Sequence, residues 1–355
     1  MDRLYLDHAA TTPMTPAARA AVVDGMARWA NPSSPHGEGR AARAALEAAR
    51  GRIAAAHGWT GEVILTGGAT ESLAIALGRA QVDRRLVSAV EHDAVLRVCP
   101  EAEVVPVGED GVLALPPSFL KGRGSALLCV QYANSETGVL QPIAAIAEAV
   151  HGAGHLLLVD AAQMPAVRAA EVVAHADLIA LSAHKHGGPP GVGALLVRDL
   201  GVLAPTGGQE RGYRPGTENV PGALGWAAAL AEPEPVDRWT SLRARLDDAI
   251  VRSGGAAVAA GSARHPAIGS YRLPGVAAAT QLIRFDLAGI AVSAGSACSS
   301  GSMKPSHVLA AMGWSEAASR EVIRISFGRD TSEADVERAI AAWRDVARAT
   351  RRFAA

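Results

Sequence analysis

Aromatic side chains are scarce in this chain, 4% of 355 residues, and cysteines number only three. Those cysteines, Cys99, Cys129 and Cys298, stand far apart with no CxxC pair, which excludes a disulfide scaffold and a cysteine-built metal centre. No apolar run reaches the ~18 residues that a membrane span requires. Excess charge is missing too: 34 Lys and Arg stand against 35 Asp and Glu, for a net charge of -1. Neither nucleic acid nor an anionic membrane is therefore an expected partner. The opening residues lack both the basic start and the apolar stretch of a secretory leader. Together with the sparse cysteines, that points to a reducing cytoplasmic setting. Fixed-period repeats and low-complexity tracts are absent as well.

What is present suits a compact enzyme. Apolar residues make up 49% and charged residues 19%. A chain of this length is too long for one small core, so two domains, or one large α/β domain with a lobe, are expected. Short β-rich runs at 63–66, 85–88, 126–130, 156–160, 178–181 and 193–197 alternate with alanine-rich helical patterns such as 143–151. Apolar strands alternating with helices predict a mostly parallel sheet covered on both faces. Ligands of such sheets bind beyond the carboxyl ends of the strands. Thr70, His92, Asn134, Asp160 and Lys185 fall at those ends. The run Glu232-Pro233-Glu234-Pro235 marks a composition break, followed by helical patterns at 236–253 and 332–351.

Several residues carry chemistry. Lys185 sits in Ser182-Ala183-His184-Lys185-His186-Gly187-Gly188, between an apolar strand and a glycine turn. A partly desolvated amine there loses basicity and can form a Schiff base with a carbonyl compound. Thr66-Gly67-Gly68-Ala69-Thr70 joins a strand to a helix, leaving N–H groups free for an anion; a plain capped turn reads equally well, and the P-loop pattern is missing. Asp160, after four apolar residues, can face a protonated ring nitrogen or simply cap the next helix. His92 offers a flat ring for stacking or proton transfer, or a helix-start hydrogen bond. His184 and His186 flank the lysine without the further ligands a metal site requires. Cys298 lies in Ser293-Ala294-Gly295-Ser296-Ala297-Cys298-Ser299-Ser300-Gly301-Ser302, a run of small residues expected to form an accessible, mobile loop. Arg324 carries the planar fork that suits a carboxylate.

Together these motifs resemble the cysteine desulfurases, in the class V aminotransferase branch of fold-type I pyridoxal 5'-phosphate (PLP) enzymes. The resemblance runs nearly end to end. It is carried by Tyr5-Leu6-Asp7-His8-Ala9-Ala10-Thr11-Thr12-Pro13, Asn31-Pro32-Ser33-Ser34, Gly68-Ala69-Thr70-Glu71-Ser72 and Glu91-His92. It continues through Val159-Asp160-Ala161-Ala162-Gln163, Ser182-Ala183-His184-Lys185, Arg211-Gly212-Tyr213-Arg214-Pro215-Gly216-Thr217-Glu218-Asn219 and Gly295-Ser296-Ala297-Cys298. The segment running on to Met303-Lys304-Pro305-Ser306-His307 is similar to the group I form, which has a long cysteine loop.

The resemblance implies a large PLP-binding domain over 16–230 with a mainly parallel sheet. A smaller α+β domain would be built from 1–15 and 231–355. Lys185 would carry PLP, Asp160 pair with its ring nitrogen, Gln163 meet its phenolate oxygen and His92 stack on the ring. Ala69, Thr70, Ser182 and His184 would hold the phosphate, joined by Thr217 from the other subunit of a homodimer with shared active sites. Arg324 and Asn31 would bind the substrate L-cysteine, and Cys298 would accept its sulfur as a persulfide, leaving L-alanine. An acceptor protein would then take the sulfur for iron–sulfur cluster assembly or tRNA thiolation. No metal is implied. Where the family often has Asn-Asn-Glu-x-Gly, this chain has Asn134-Ser135-Glu136-Thr137-Gly138, so the cofactor-contacting role stands between Asn134 and Ser135. The chain also ends soon after its last helix, whereas housekeeping members have a longer scaffold-docking tail. Other class V PLP reactions, transamination or selenocysteine lysis, share the cofactor residues. Only Cys298 and its loop separate them from desulfuration. A non-catalytic paralogue would be expected to lack Lys185, Asp160 or Cys298, and none is missing.

Overall fold

A computed structural model describes residues 3–295 and 305–351. Among the described residues the strands form three sheets. The largest has seven strands: β2 (Glu62–Thr66), β3 (Arg84–Ser88), β4 (Glu103–Val105), β5 (Ala126–Gln131), β6 (Leu156–Asp160), β7 (Leu178–Ser182) and β8 (Gly193–Val197). Their order is β2-β8-β7-β6-β5-β3-β4. All neighbours run parallel except β8, which is antiparallel to both β2 and β7. The carboxyl ends of β2, β3, β5, β6 and β7 therefore share one edge of the sheet. Central strands such as Leu178–Ser182 are buried at every position, because helices cover both faces and leave no solvated side to alternate toward.

One apolar cluster lies on each face of this sheet. The first joins Leu128 and Val159 to Leu46, Ile53 and Trp226 of the helices Gly37–Ala56 (α2) and Val220–Ala229. The second joins Leu127, Cys129 and Leu195 to Leu73, Leu77 and Val95. Its helices are α3 (Ala69–Arg79) and α4 (Asp93–Val98), while α1 (Pro16–Met26) packs against Val220–Ala229. Each fully buried Leu of this kind contributes about 1.5–3 kcal/mol.

The remaining strands form two small sheets. β9 (Ala256–Ala257), β10 (Ile268–Arg272) and β12 (Val322–Ser326) make an antiparallel set. β1 (Leu4–Tyr5) pairs in parallel with β11 (Ile290–Ala291), although nearly the whole chain separates them. Leu4 and Leu6 enter a third core with Trp239, Phe285 and Trp343. A fourth cluster joins Val90, after β3, to Val308, Leu309 and Val322. Among the described residues no helix is long and apolar enough to cross a membrane.

Candidate active site

The shared strand edge delivers most of the polar groups singled out by the sequence. After β2 the chain turns through Gly67 and Gly68 into α3. Gly68 has φ 146 and ψ 176, a region essentially restricted to glycine. As N-cap it offers no side chain, so nothing on it competes for the first N–H groups of α3. Gly193 on β8 permits this close turn: a Cβ there would lie 2.6 Å from the Gly68 Cα. The nearby acid Glu71 is paired, its Oε1 accepting from Arg214 Nε at 2.9 Å.

His92 caps α4, with Nδ1 accepting from the Ala94 N–H at 3.1 Å. Its neutral ring therefore carries the proton on Nε2. The expected capping bond and a place in the site are thus compatible. Asp160 ends β6, and its Oδ1 accepts from the Ala162 N–H at 3.0 Å. Burial raises its carboxyl above the usual range, while the Ala162 N–H, His92 and Lys185 pull it back toward ionisation.

A 3-10 turn, Ala183–Lys185, follows β7. Lys185 Nζ donates to the Ala9 carbonyl at 2.5 Å, and Gln163 Nε2 donates to the same oxygen at 2.9 Å. His184 Nδ1 lies 3.0 Å from Thr11 Oγ1. Burial, with Lys185 and His186 nearby, lowers His184 to about 4, so its ring is neutral at physiological pH.

These groups face one cavity of about 650 Å³. Ala69, Thr70, His92, Asp160, Gln163, Ser182, His184 and Lys185 line it. A neighbouring cavity of about 270 Å³ shares His92, Gln131 and Ser135 with it and adds Arg324. Arg324 is 5% exposed. Its Nη1 donates to the Ser135 carbonyl at 2.8 Å and its Nη2 to Asp7 Oδ1 at 2.7 Å.

Other expected residues are not gathered there. Asn134 lines only the smaller cavity. Its Oδ1 accepts from the Glu136 and Thr137 N–H groups at 2.9 and 2.8 Å, and its Nδ2 donates to the Val90 carbonyl. The side chain is spent shaping its own loop, and Ser135 is the residue that faces the larger cavity. Thr217 and Asn31 are exposed and line neither cavity. Asn31 Oδ1 accepts from the Ser33 N–H at 2.8 Å. Cys298 lies outside the described residues; Gly295 and Pro305, on either side of it in the chain, line the smaller cavity. Among the described residues no group of three or more His, Cys, Asp or Glu is placed to hold a metal ion.

Side-chain type does not announce four further contributors. The Ala9 carbonyl is a backbone group, which no residue code announces. Asp7 and Thr11 stand in the Tyr5–Pro13 motif, whose density of polar residues was the available signal. Gln131 ends β5, one residue beyond the apolar run 126–130.

The class V aminotransferase family model matches residues 4–339. A putative cysteine desulfurase, IscS 1, of Bacillus subtilis (strain 168) is 36% identical, covering 96% of this chain and 97% of that protein. A cysteine desulfurase of Cereibacter sphaeroides is 38% identical over 95% of this chain and 94% of its own length. Among solved structures, a NifS-like protein from Rickettsia africae superposes with a TM-score of 0.87 at 28% identity, covering 97% and 99% of the two chains. SspA in complex with cysteine gives a TM-score of 0.77 at 27% identity, over 93% of this chain and 100% of that one.

Proposed function

From the premise that this chain belongs to the class V aminotransferase family and, within it, to the cysteine desulfurases, we propose how its own residues carry out the reaction on L-cysteine. The family is PLP-dependent, and the larger cavity fits that cofactor. A glycine turn with an uncapped helix start suits a phosphate, and buried Asp160 suits a protonated ring nitrogen. The amine of Lys185 reaches the same space. When bound, PLP supplies an electron sink for the substrate's Cα.

Lys185 holds the cofactor and takes the Cα proton on Nζ. His92 stacks on the ring and moves protons from Nε2. Thr70, Ser182 and the α3 amides, Ala69 included, hold the phosphate. Neutral His184, with Nδ1 facing the Thr11 hydroxyl, offers an N–H from Nε2 to the same group. Gln163, whose Nε2 donates to the Ala9 carbonyl, would donate to the cofactor's phenolate oxygen. Arg324, already oriented by Asp7 and the Ser135 carbonyl, binds the substrate carboxylate in the smaller cavity. The Cys298 thiolate attacks the substrate sulfur: an S–S bond forms, the C–S bond breaks with its electron pair going to carbon, and carbon gains a proton to give alanine. A sulfur-acceptor protein then removes the persulfide sulfur. Support for L-cysteine comes from the relatives' names and from the cysteine-bound neighbour.

Three coarser features belong to the same reading. Residues 16–230 form the cofactor domain, and 1–15 with 231–355 the smaller one, a division supported by their separate apolar cores. Thr217, exposed on its loop, reaches the phosphate of a second copy in a homodimer. The enzyme works in the cytoplasm.

The observation that carries the reading is the convergence of Lys185, Asp160, His92 and the Gly68 turn on one cavity. Separate Cys298→Ala and Lys185→Ala variants test it. The first is expected to keep the yellow cofactor but lose sulfide release from cysteine, and the second to lose the cofactor's bound absorbance. Full-rate sulfide release by Cys298→Ala would reject the sulfur-acceptor assignment.

A further inference from the structure

Glu91 is an acid beside this site that no step above uses. The residue is 0% exposed. Its Oε1 accepts from the Gln131 N–H at 2.9 Å, while Oε2 is buried without a hydrogen-bond partner. None of the ion pairs among the described residues takes it in, the Arg324–Asp7 pair of the neighbouring cavity included. Its surroundings are otherwise fixed. The Gln131 side chain donates to the Val90 carbonyl at 2.8 Å, and His307 Nε2 donates to the Glu91 carbonyl at 2.9 Å.

Gln131 stands directly opposite Asp160 in the β5–β6 ladder. Adjacent strands lie about 4.8 Å apart, so the Glu91 carboxyl, which follows β3 and is held on Gln131 of β5, and Asp160 at the end of β6 stand one strand apart across β5 in a low-dielectric wall. Two carboxylates that close do not both ionise readily. Their company differs. Asp160 has the Ala162 N–H, His92 and Lys185 to favour its charge. Glu91 has one N–H, and both burial and Asp160 push its carboxyl well above the usual range. The influences on the Glu91 carboxyl are burial, Asp160 and the Gln131 N–H, and none of them is a cation. Cys129 of β5 is fully buried with its thiol raised. Asp93 and Glu136, also at the smaller cavity, are acids. His307 bonds the Glu91 backbone rather than its carboxyl, and Arg324 is engaged with Asp7 and Ser135.

We propose that Glu91 is a protonated carboxylic acid in the native protein and a positioning residue for Asp160, leaving that aspartate the sole carboxylate charge at these two strand ends. The neutral acid keeps the acceptor needed by Gln131 without setting a second negative charge against the ring-nitrogen partner. The second half of the inference rests on the role given to Asp160 above; the protonation does not.

The sign of the linkage follows. An acid raised in the native state holds a proton that the unfolded chain loses near the ordinary carboxyl range. Its contribution to stability is present below that range and is lost as pH rises. Denaturant unfolding of the cofactor-free protein between pH 5 and 7 should show an unfolding constant that rises with pH more steeply in wild type than in Glu91→Gln, by up to about tenfold per pH unit. Infrared spectra of the unmodified protein at pH 7 should contain a protonated-carboxyl band that shifts on carbon-13 labelling of glutamate. Equal pH slopes in the two proteins, or no glutamate-derived acid band, would overturn the protonation, and the band decides even if the variant folds poorly. In the loaded enzyme, Glu91→Gln should bind PLP within about threefold of wild type and lose an alkaline decline in activity that wild type shows. Superimposable alkaline limbs would overturn the positioning role. If Asp160→Asn bound PLP and turned over like wild type, the ring-nitrogen reading would fail while the Glu91 proton stood.

Discussion

The fate of each charge at this site depends on its immediate company. Asp160 is buried yet flanked by an N–H, a histidine and a lysine, which is the setting of a carboxylate kept ready for a cation. Asp160→Asn preserves the acceptor for the Ala162 N–H but removes the charge. We expect it to lower kcat by about 10²–10³, the usual loss when one preorganised electrostatic group is deleted. Steady-state alanine formation measures this, and the thermal midpoint of the cofactor-free variant should not fall. At this scale the sequence was legible wherever a side chain's type announced its chemistry: Lys185, Asp160, His92 and Thr70 all reach one cavity. It was illegible where a backbone atom does the work, as the Ala9 carbonyl does for Lys185 and Gln163. Asn134 shows the opposite limit. Its type suits a cofactor contact, but three donors within its own loop consume its oxygen.

At the scale of elements, the turn after β2 depends on two glycines for different reasons: a side chain on Gly193 would strike the Gly68 backbone, whereas Gly68 is required by its own backbone conformation. Gly68 adopts a backbone conformation that costs other residues about 1–3 kcal/mol, and nothing within 4 Å would meet its added Cβ. Gly68→Ala should therefore destabilise through backbone strain alone. We expect a lowered thermal midpoint and weaker PLP binding, measured by fluorescence titration; unchanged values for both would show that the turn tolerates a side chain. The strands over this edge were readable because their apolar runs match burial on both faces. Their order was not, since β8 inserts antiparallel between β2 and β7 and no local pattern encodes that neighbour choice.

At the scale of the whole molecule, buried histidines contribute to the response to acid. His265 has Nδ1 accepting from the Ala267 N–H at 3.0 Å, and burial with Arg243 nearby lowers it to about 3. His57, behind Trp226, is lowered by burial to about 4. A histidine depressed in the native state contributes stability that is complete above its unfolded value near 6.5 and is lost as pH falls. His265→Asn should therefore flatten stability against pH below 6.5 by up to one proton, about 1.4 kcal/mol per pH unit. Denaturant unfolding at pH 7 and 5 checks the difference between the two proteins. Parallel curves would mean that the ring takes up its proton alike in the folded and unfolded chain.

The pairing of β1 with β11 also bears on how the molecule comes into being. Residues 4–9 are synthesised long before their partners Ile290, Ala291 and Ser326. At about 5–20 residues per second, some 15–60 s of synthesis separate the two. The Ala9 carbonyl, which meets Lys185, lies beside this late closure, with its own N–H bonded to Ser326 Oγ. During translation the seven-stranded sheet can form while one wall of its pocket is still missing. Catalytic competence is then a property of the finished polypeptide and not of the nascent one.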